Sequence, residues 1–168
     1  MNNFVTKSAR IGTVILLGLG MSLPIISDAQ AATSKAATSK AANPSVSAHA
    51  GVAPVIGKPK GAAPKVLTLK DIFVGKGKTA LASSTVKAQY VLMSWKTGKV
   101  LQSSWSAGPF TAPLSGVIPG WQKGIPGMKV GGRRLLIIPP ALAYGAGGGG
   151  PVGPNETLIF VVDLLGVN

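Results

Sequence analysis

Residues 117–129, Val117-Ile-Pro-Gly-Trp-Gln-Lys-Gly-Ile-Pro-Gly-Met-Lys129, decide how the rest of the chain is read. Pro119 has a preset φ and no backbone donor, which suits the first turn of a helix, and Gly124 and Gly127 suit its exit. The spacing predicts one short helix of about two turns. A helix of that length is not stable by itself, so the sequence on both sides has to hold it. Trp121 is the large apolar side chain placed between them.

That flanking sequence reads as strands. Upstream, Leu67, Leu69, Ile72 and Val74 suggest a first strand, ended by a turn at Gly75-Lys-Gly77. Val86, Ala88, Tyr90 and Leu92 then alternate with Lys87, Gln89, Val91 and Met93, so one face of a second strand turns Tyr90 toward a core. Lys96-Thr-Gly98 is a hairpin turn that brings Val100 to Ser104 back alongside. Phe110, Ala112 and Leu114 form one more short strand, which Pro113 restricts to an edge. Downstream of the helix, Arg133 to Ile138 alternates less cleanly, with Leu136 and Ile138 as the core face, and Pro139-Pro140 stops it. Tyr144 follows, and the glycine-rich tract from Gly145 to Pro154 reads as a mobile loop over a pocket. The last strand, Thr157 to Leu165, puts Leu158, Phe160, Val162 and Leu164 on one face. Several strands, one short helix and no long helical period give an antiparallel α+β domain.

Composition narrows the chemistry. The 168 residues contain no cysteine and one histidine, His49, which excludes a disulfide framework, a thiolate or histidine-built metal site and a catalytic triad. The four acids, Asp28, Asp71, Glu156 and Asp163, are too scattered for a paired-carboxylate glycosidase or a calcium loop. Neither cofactor nor metal is expected. The formal charge of +13 favours anionic partners. Only Arg133 and Arg134 are adjacent, however, and the lysines stand without interleaved aromatics, so no specific nucleic-acid binding is expected. The glycine run lacks the Gly-Lys-Ser/Thr ending and the following helix of a phosphate-binding loop.

Before the strands the chain has two further parts. Residues 1–31 read as a signal peptide: Lys7 and Arg10 form the positive region, Ile11 to Ile26 the apolar region, and Ala29-Gln30-Ala31 the cleavage motif. A retained membrane anchor is the alternative, although the apolar run falls short of the roughly 20 residues needed to span a bilayer. This makes the protein an exported one, periplasmic or extracellular. Residues 32–65 are Ala, Ser, Thr, Lys, Gly and Pro with a short duplication, and read as a flexible basic linker, either a solvated spacer or a tether making weak contact with an anionic envelope. The folded domain then occupies 66–168.

From Tyr90 onward the order of residues resembles the FKBP-type peptidyl-prolyl cis-trans isomerases, in their secreted bacterial single-domain form. The matching pieces are Val86-Lys-Ala-Gln-Tyr90, Gly98-Lys-Val-Leu-Gln-Ser-Ser104, Pro109-Phe110, Val117-Ile-Pro-Gly-Trp121, Gly127-Met-Lys-Val-Gly131, Ile138-Pro-Pro, Ala143-Tyr-Gly145 and Thr157-Leu-Ile-Phe160. The resemblance implies a curled antiparallel sheet of about five strands wrapped around the short helix, with an apolar pocket between them. It also implies catalytic positions at Tyr90, Gln102, Ile118, Trp121, Tyr144 and Phe160, and substrate-binding positions at Leu101, Phe110, Val117 and Val152. Implied partners are proline-containing polypeptides and macrolide immunosuppressant-type ligands, taken up by a monomer. Gln102 stands where the family usually has Asp and Leu101 where it usually has Phe. A low-turnover binding or chaperone module of the same fold is therefore an alternative, and a basic envelope-associated adaptor is another.

Overall fold

In the computed structural model, which describes residues 42–168, the alternating stretches become strands. They are β1 (Thr68–Phe73), β2 (Thr85–Ser94), β3 (Val100–Ser103), β4 (Phe110–Pro113), β5 (Arg133–Ile138) and β6 (Leu158–Val167), with one helix, α1 (Pro119–Gly124), between β4 and β5. All pair antiparallel in one sheet, in the order β1-β5-β6-β2-β3, with β4 beside the first half of β2. The count is six rather than about five, because the proline-bearing β4 pairs along β2 from Thr85 to Ala88 while β3 takes Val91 to Met93. The expected signal peptide, its cleavage site and the start of the linker lie outside the described residues.

The inner face of the sheet holds the helix. Val86, Ala88 and Leu92 of β2, Leu136 and Ile138 of β5, and Leu158, Phe160, Val162 and Leu164 of β6 enclose Trp121 and Ile125 in one buried cluster. Every residue assigned to the core face of β2, β5 and β6 is where the alternation put it. The helix sits unusually close. A Cβ on Gly120 would meet Ile138 Cγ2 at 2.4 Å, and one on Gly124 would meet Leu136 Cδ2 at 2.5 Å. Gly124 is thus the last helical residue, chosen for close packing rather than for a turn, and the turn glycine is Gly127 with φ 84°. Arg134 completes the helix exit. Its guanidinium donates to the Gly124 carbonyl at 2.8 Å while paired with Asp71 at 2.6 Å, so a cation meets the carbonyl end of α1.

The outer face is also apolar and covered. Met93, Trp95, Leu135, Ile137, Ile159 and Val161 form a second buried cluster, against which Val46, Ile56 and Ala63 pack. This explains the poor alternation of β5, since a strand buried on both faces reads as a continuous apolar run. It also corrects the reading of residues 42–65 as a free linker. Residues 42–60 form a narrow hairpin bridged at Ala42–Lys60 and Val46–Ile56, with Ser47 N–H donating to the Val55 carbonyl at 3.0 Å. Arg133, fully buried, fastens this arm. It pairs with Asp163 and donates to the carbonyls of Ser47 at 2.9 Å and Val52 at 2.7 Å. The arm is held by a few apolar anchors and one arginine, which its average composition conceals.

Candidate active site

On the inner side, the open end of the sheet and the start of α1 leave a cavity of about 410 Å³. Its walls are Tyr90, Gln102, Phe110, Gly116, Val117, Ile118, Trp121, Tyr144 and Phe160. Eight of the ten expected site residues are brought together here. The two others are not. Val152 is 5 % exposed and belongs to the inner core, because Gly149 and Val152 exchange backbone hydrogen bonds at 2.9 and 3.0 Å and fold the loop inward. Leu101 packs against the same inner core and does not line the cavity, whereas its neighbour Gln102 does. Gly116 was missed. It ends a single 3-10 turn at Leu114–Gly116, and its lack of a side chain leaves the cavity rim open, with only Pro113 Cγ near an added Cβ at 3.6 Å.

The aromatic rings determine the shape. Trp121 is 3 % exposed and meets Phe160 edge-on at 5.5 Å between centroids, Tyr90 at 5.7 Å and Phe110 at 5.9 Å, with interplanar angles of 81°, 88° and 89°. Tyr90 in turn stands perpendicular to Phe110 at 6.0 Å. Such edge-to-face pairs add roughly 0.5–1.5 kcal/mol each beyond the area they bury, so the four rings fix one another. The backbone of Tyr90 is pinned as well. Its N–H donates to Ser104 Oγ at 2.8 Å and its carbonyl accepts from Ser104 N–H at 3.0 Å, while Ser104 Oγ bonds Gln89 Oε1.

Polar groups at this cavity are few. Burial, and secondarily the nearby Tyr144, raises the Tyr90 phenol above its ordinary value, so it stays protonated and able to donate. Tyr144 is 41 % exposed at the rim, and its ring lies against Gly149, where a Cβ would come within 2.9 Å. The glycine tract therefore gives room to this ring. The tract is also closed by a third backbone bond, Asn155 N–H to the Gly145 carbonyl at 3.0 Å, and so is a folded turn. Ile118 is the residue before the helix; its carbonyl accepts from Trp121 N–H at 2.9 Å and Gln122 N–H at 3.2 Å, and its own N–H has no acceptor among the described residues. Trp121 Nε1 is buried and likewise without an acceptor. Trp105 Nε1 shares that condition, and nothing in the structure explains it. Among the described residues no three His, Asp or Glu side chains converge on a metal position. The lining offers apolar surface, an amide, two phenols and a free backbone donor, with no carboxylate, imidazole or amine.

Residues 76–165 match the family model of the FKBP-type peptidyl-prolyl cis-trans isomerases. The chain belongs to this family. A probable FK506-binding protein of Corynebacterium glutamicum is 48 % identical over 113 residues, spanning 67 % of this chain and 96 % of the relative. An FK506-binding protein of Streptomyces anulatus is 47 % identical over 119 residues, covering 68 % and 96 %. The crystal structure of FkpA from Escherichia coli superposes with a TM-score of 0.58 at 40 % identity, over 61 % of this chain and 48 % of that one. The protein is thus an FKBP-type prolyl isomerase. The family match begins at residue 76, so the arm and β1 precede it.

Proposed function

We propose that this isomerase accelerates rotation about Xaa-Pro bonds in exported polypeptides by holding the twisted amide in the aromatic cavity. The observation that carries the mechanism is the lining itself: five aromatic rings around about 410 Å³ with an unpartnered Ile118 N–H at the wall. Amide rotation meets a barrier of roughly 18–20 kcal/mol because resonance is lost in the twisted state. The planar amide is the more dipolar form, and a dry apolar wall of Trp121, Phe160 and Val117 stabilises it less than it stabilises the twisted one. That difference, rather than affinity as such, lowers the barrier. Ile118 N–H holds one substrate carbonyl, and the Tyr144 hydroxyl at the open rim holds another. Both position the chain so that rotation occurs at the proline seated over Trp121. Tyr90, kept neutral, closes the wall between Trp121 and Phe110.

Gln102 occupies the rim with a neutral amide, which supplies hydrogen bonds but no charge beside the twisting bond. This is the feature that favours the second reading, a binding module of low turnover. Gln102→Asp separates the two. Under the isomerase reading it raises kcat/KM on Xaa-Pro peptides in a protease-coupled assay, and an unchanged or lower value with little wild-type turnover supports the binder. The same cavity suits macrolides of the kind named for the relatives, with Trp121 beneath the ring. Export rests on the leader-like residues 1–31, and N-terminal mass spectrometry of protein recovered outside the cytoplasm, expected to begin at Ala32, checks it.

A further inference from the structure

Gln122 lies on α1 one residue beyond Trp121, exposed to solvent and outside the cavity lining. Its side-chain Nε2 donates to the Val117 carbonyl at 2.7 Å. The amide orientation is fixed by the acceptor, since only the NH₂ end of glutamine can approach a carbonyl oxygen at that distance. The Val117 carbonyl and the Ile118 N–H are the two ends of one planar peptide unit. Fixing the oxygen therefore fixes the direction of the N–H on the opposite edge. The following peptide of Ile118 is fixed independently, because its carbonyl accepts the first bonds of the helix from Trp121 and Gln122 N–H. Both planes that flank Ile118 are thereby held, one by backbone and one by this side chain.

We propose that Gln122 is a positioning residue for the isomerase, which aims and polarises the Ile118 N–H from behind the cavity wall. A carbonyl that accepts a hydrogen bond makes the N–H of its own peptide a better donor, because the two dipoles reinforce one another. The side chain touches neither substrate nor cavity and acts only through the Val117–Ile118 peptide. A carboxylate at this position has no proton to donate at neutral pH and would repel the Val117 oxygen, so Glu and Gln are not equivalent here. The inference rests on the reading that Ile118 N–H holds a substrate carbonyl, and the test keeps the two apart.

The full chain, ¹⁵N-labelled, is titrated with an Ala-Leu-Pro-Phe tetrapeptide in the wild-type, Gln122→Met, Gln122→Glu and Gln122→Lys forms, with kcat and KM measured in parallel. Met keeps the length without a donor, Glu replaces the donor with charge, and Lys restores a donor. Loss of one hydrogen bond is expected to reduce kcat/KM about three- to ten-fold in the Met and Glu variants. The loss should fall mainly on KM, the Ile118 amide proton should move upfield in the free protein, and Lys should recover part of both. Because the side chain is exposed, melting temperatures should be unchanged, which separates positioning from a structural role. A Met variant with wild-type kcat/KM and a wild-type Ile118 response to peptide would overturn the proposal while leaving the Ile118 reading intact. A wild-type protein whose Ile118 amide does not respond at peptide saturation, while the cavity aromatics do, would overturn both.

Discussion

Replacing Arg133 by Met tests whether the outer face of the sheet and its arm are secured by one side chain. Arg133 is fully buried, and its guanidinium is shared between the Asp163 carboxylate and the carbonyls of Ser47 and Val52, with its Cζ 5.6 Å from the Phe73 ring centroid. Methionine fills the aliphatic part of the space but leaves Asp163, 7 % exposed, as an unpaired buried charge. Removing one partner of such a pair costs roughly 3–5 kcal/mol, most of it the cost of the stranded charge. The arm carbonyls contribute less, because Val52 is exposed and water can replace the lost donor. Urea unfolding followed by tryptophan fluorescence should therefore show a loss near 4 kcal/mol, a large share of the roughly 5–15 kcal/mol that holds a domain together. Adding Asp163→Leu should restore more than half of it. Limited proteolysis within residues 42–65 should speed up in the single variant. The clamp lies on the face opposite the cavity, so kcat/KM per folded molecule should stay within about two-fold. A loss below about 1 kcal/mol, or a double variant no more stable than the single one, refutes the reasoning.

Four further outcomes follow from the inner face. Trp121→Ala should cost roughly 3–5 kcal/mol and abolish isomerisation even in the molecules that remain folded, because the lost indole is both core and cavity wall; denaturant titration with activity corrected for folded fraction checks it. Gly120→Ala gains about 1 kcal/mol of helix propensity but drives a methyl into β-branched, fully buried Ile138, so the net change should be a loss of roughly 1–2 kcal/mol. Gly116→Ala, with its nearest neighbour at 3.6 Å, should leave stability unchanged. Tyr90 ionises at a higher pH in the folded protein than in the unfolded chain, so the unfolded state releases its proton first and stability falls as pH rises beyond about 10. That contribution is fully present at neutral pH, and Tyr90→Phe should flatten the alkaline limb of a stability–pH curve.

The inner face was legible in the sequence because alternation there is simple. β2 and β6 each send every second residue to the helix, and the Trp121 stretch fixed where that helix starts. The cavity followed from the same strands, so Tyr90, Phe110 and Phe160 arrived where the family resemblance put them. What escaped depended on contacts between distant segments. Arg133 and Arg134 read as the one adjacent basic pair, yet in a strand they point oppositely, one to the arm carbonyls and one to the exit of α1. The arm had no local signal, since the outer cluster that Val46, Ile56 and Ala63 cover comes from strands distant in sequence. The apolar run Leu135-Leu-Ile-Ile138 was the available clue, because a strand apolar on both faces needs a cover on each. Val152 was misplaced for a related reason: glycine-rich sequence does not reveal which of its backbone groups will pair.

The central claim is that this pocket catalyses by polarity and positioning, with no proton transferred. No carboxylate, imidazole or amine lines the cavity, and Tyr90 is shifted away from neutrality. The direct measurement is kcat/KM on an Ala-Leu-Pro-Phe peptide between about pH 6 and 9, in H₂O and in D₂O. The account predicts a flat profile and a solvent isotope effect close to one. A bell-shaped profile, or an isotope effect of about two or more, would place a proton in flight at the transition state and contradict it.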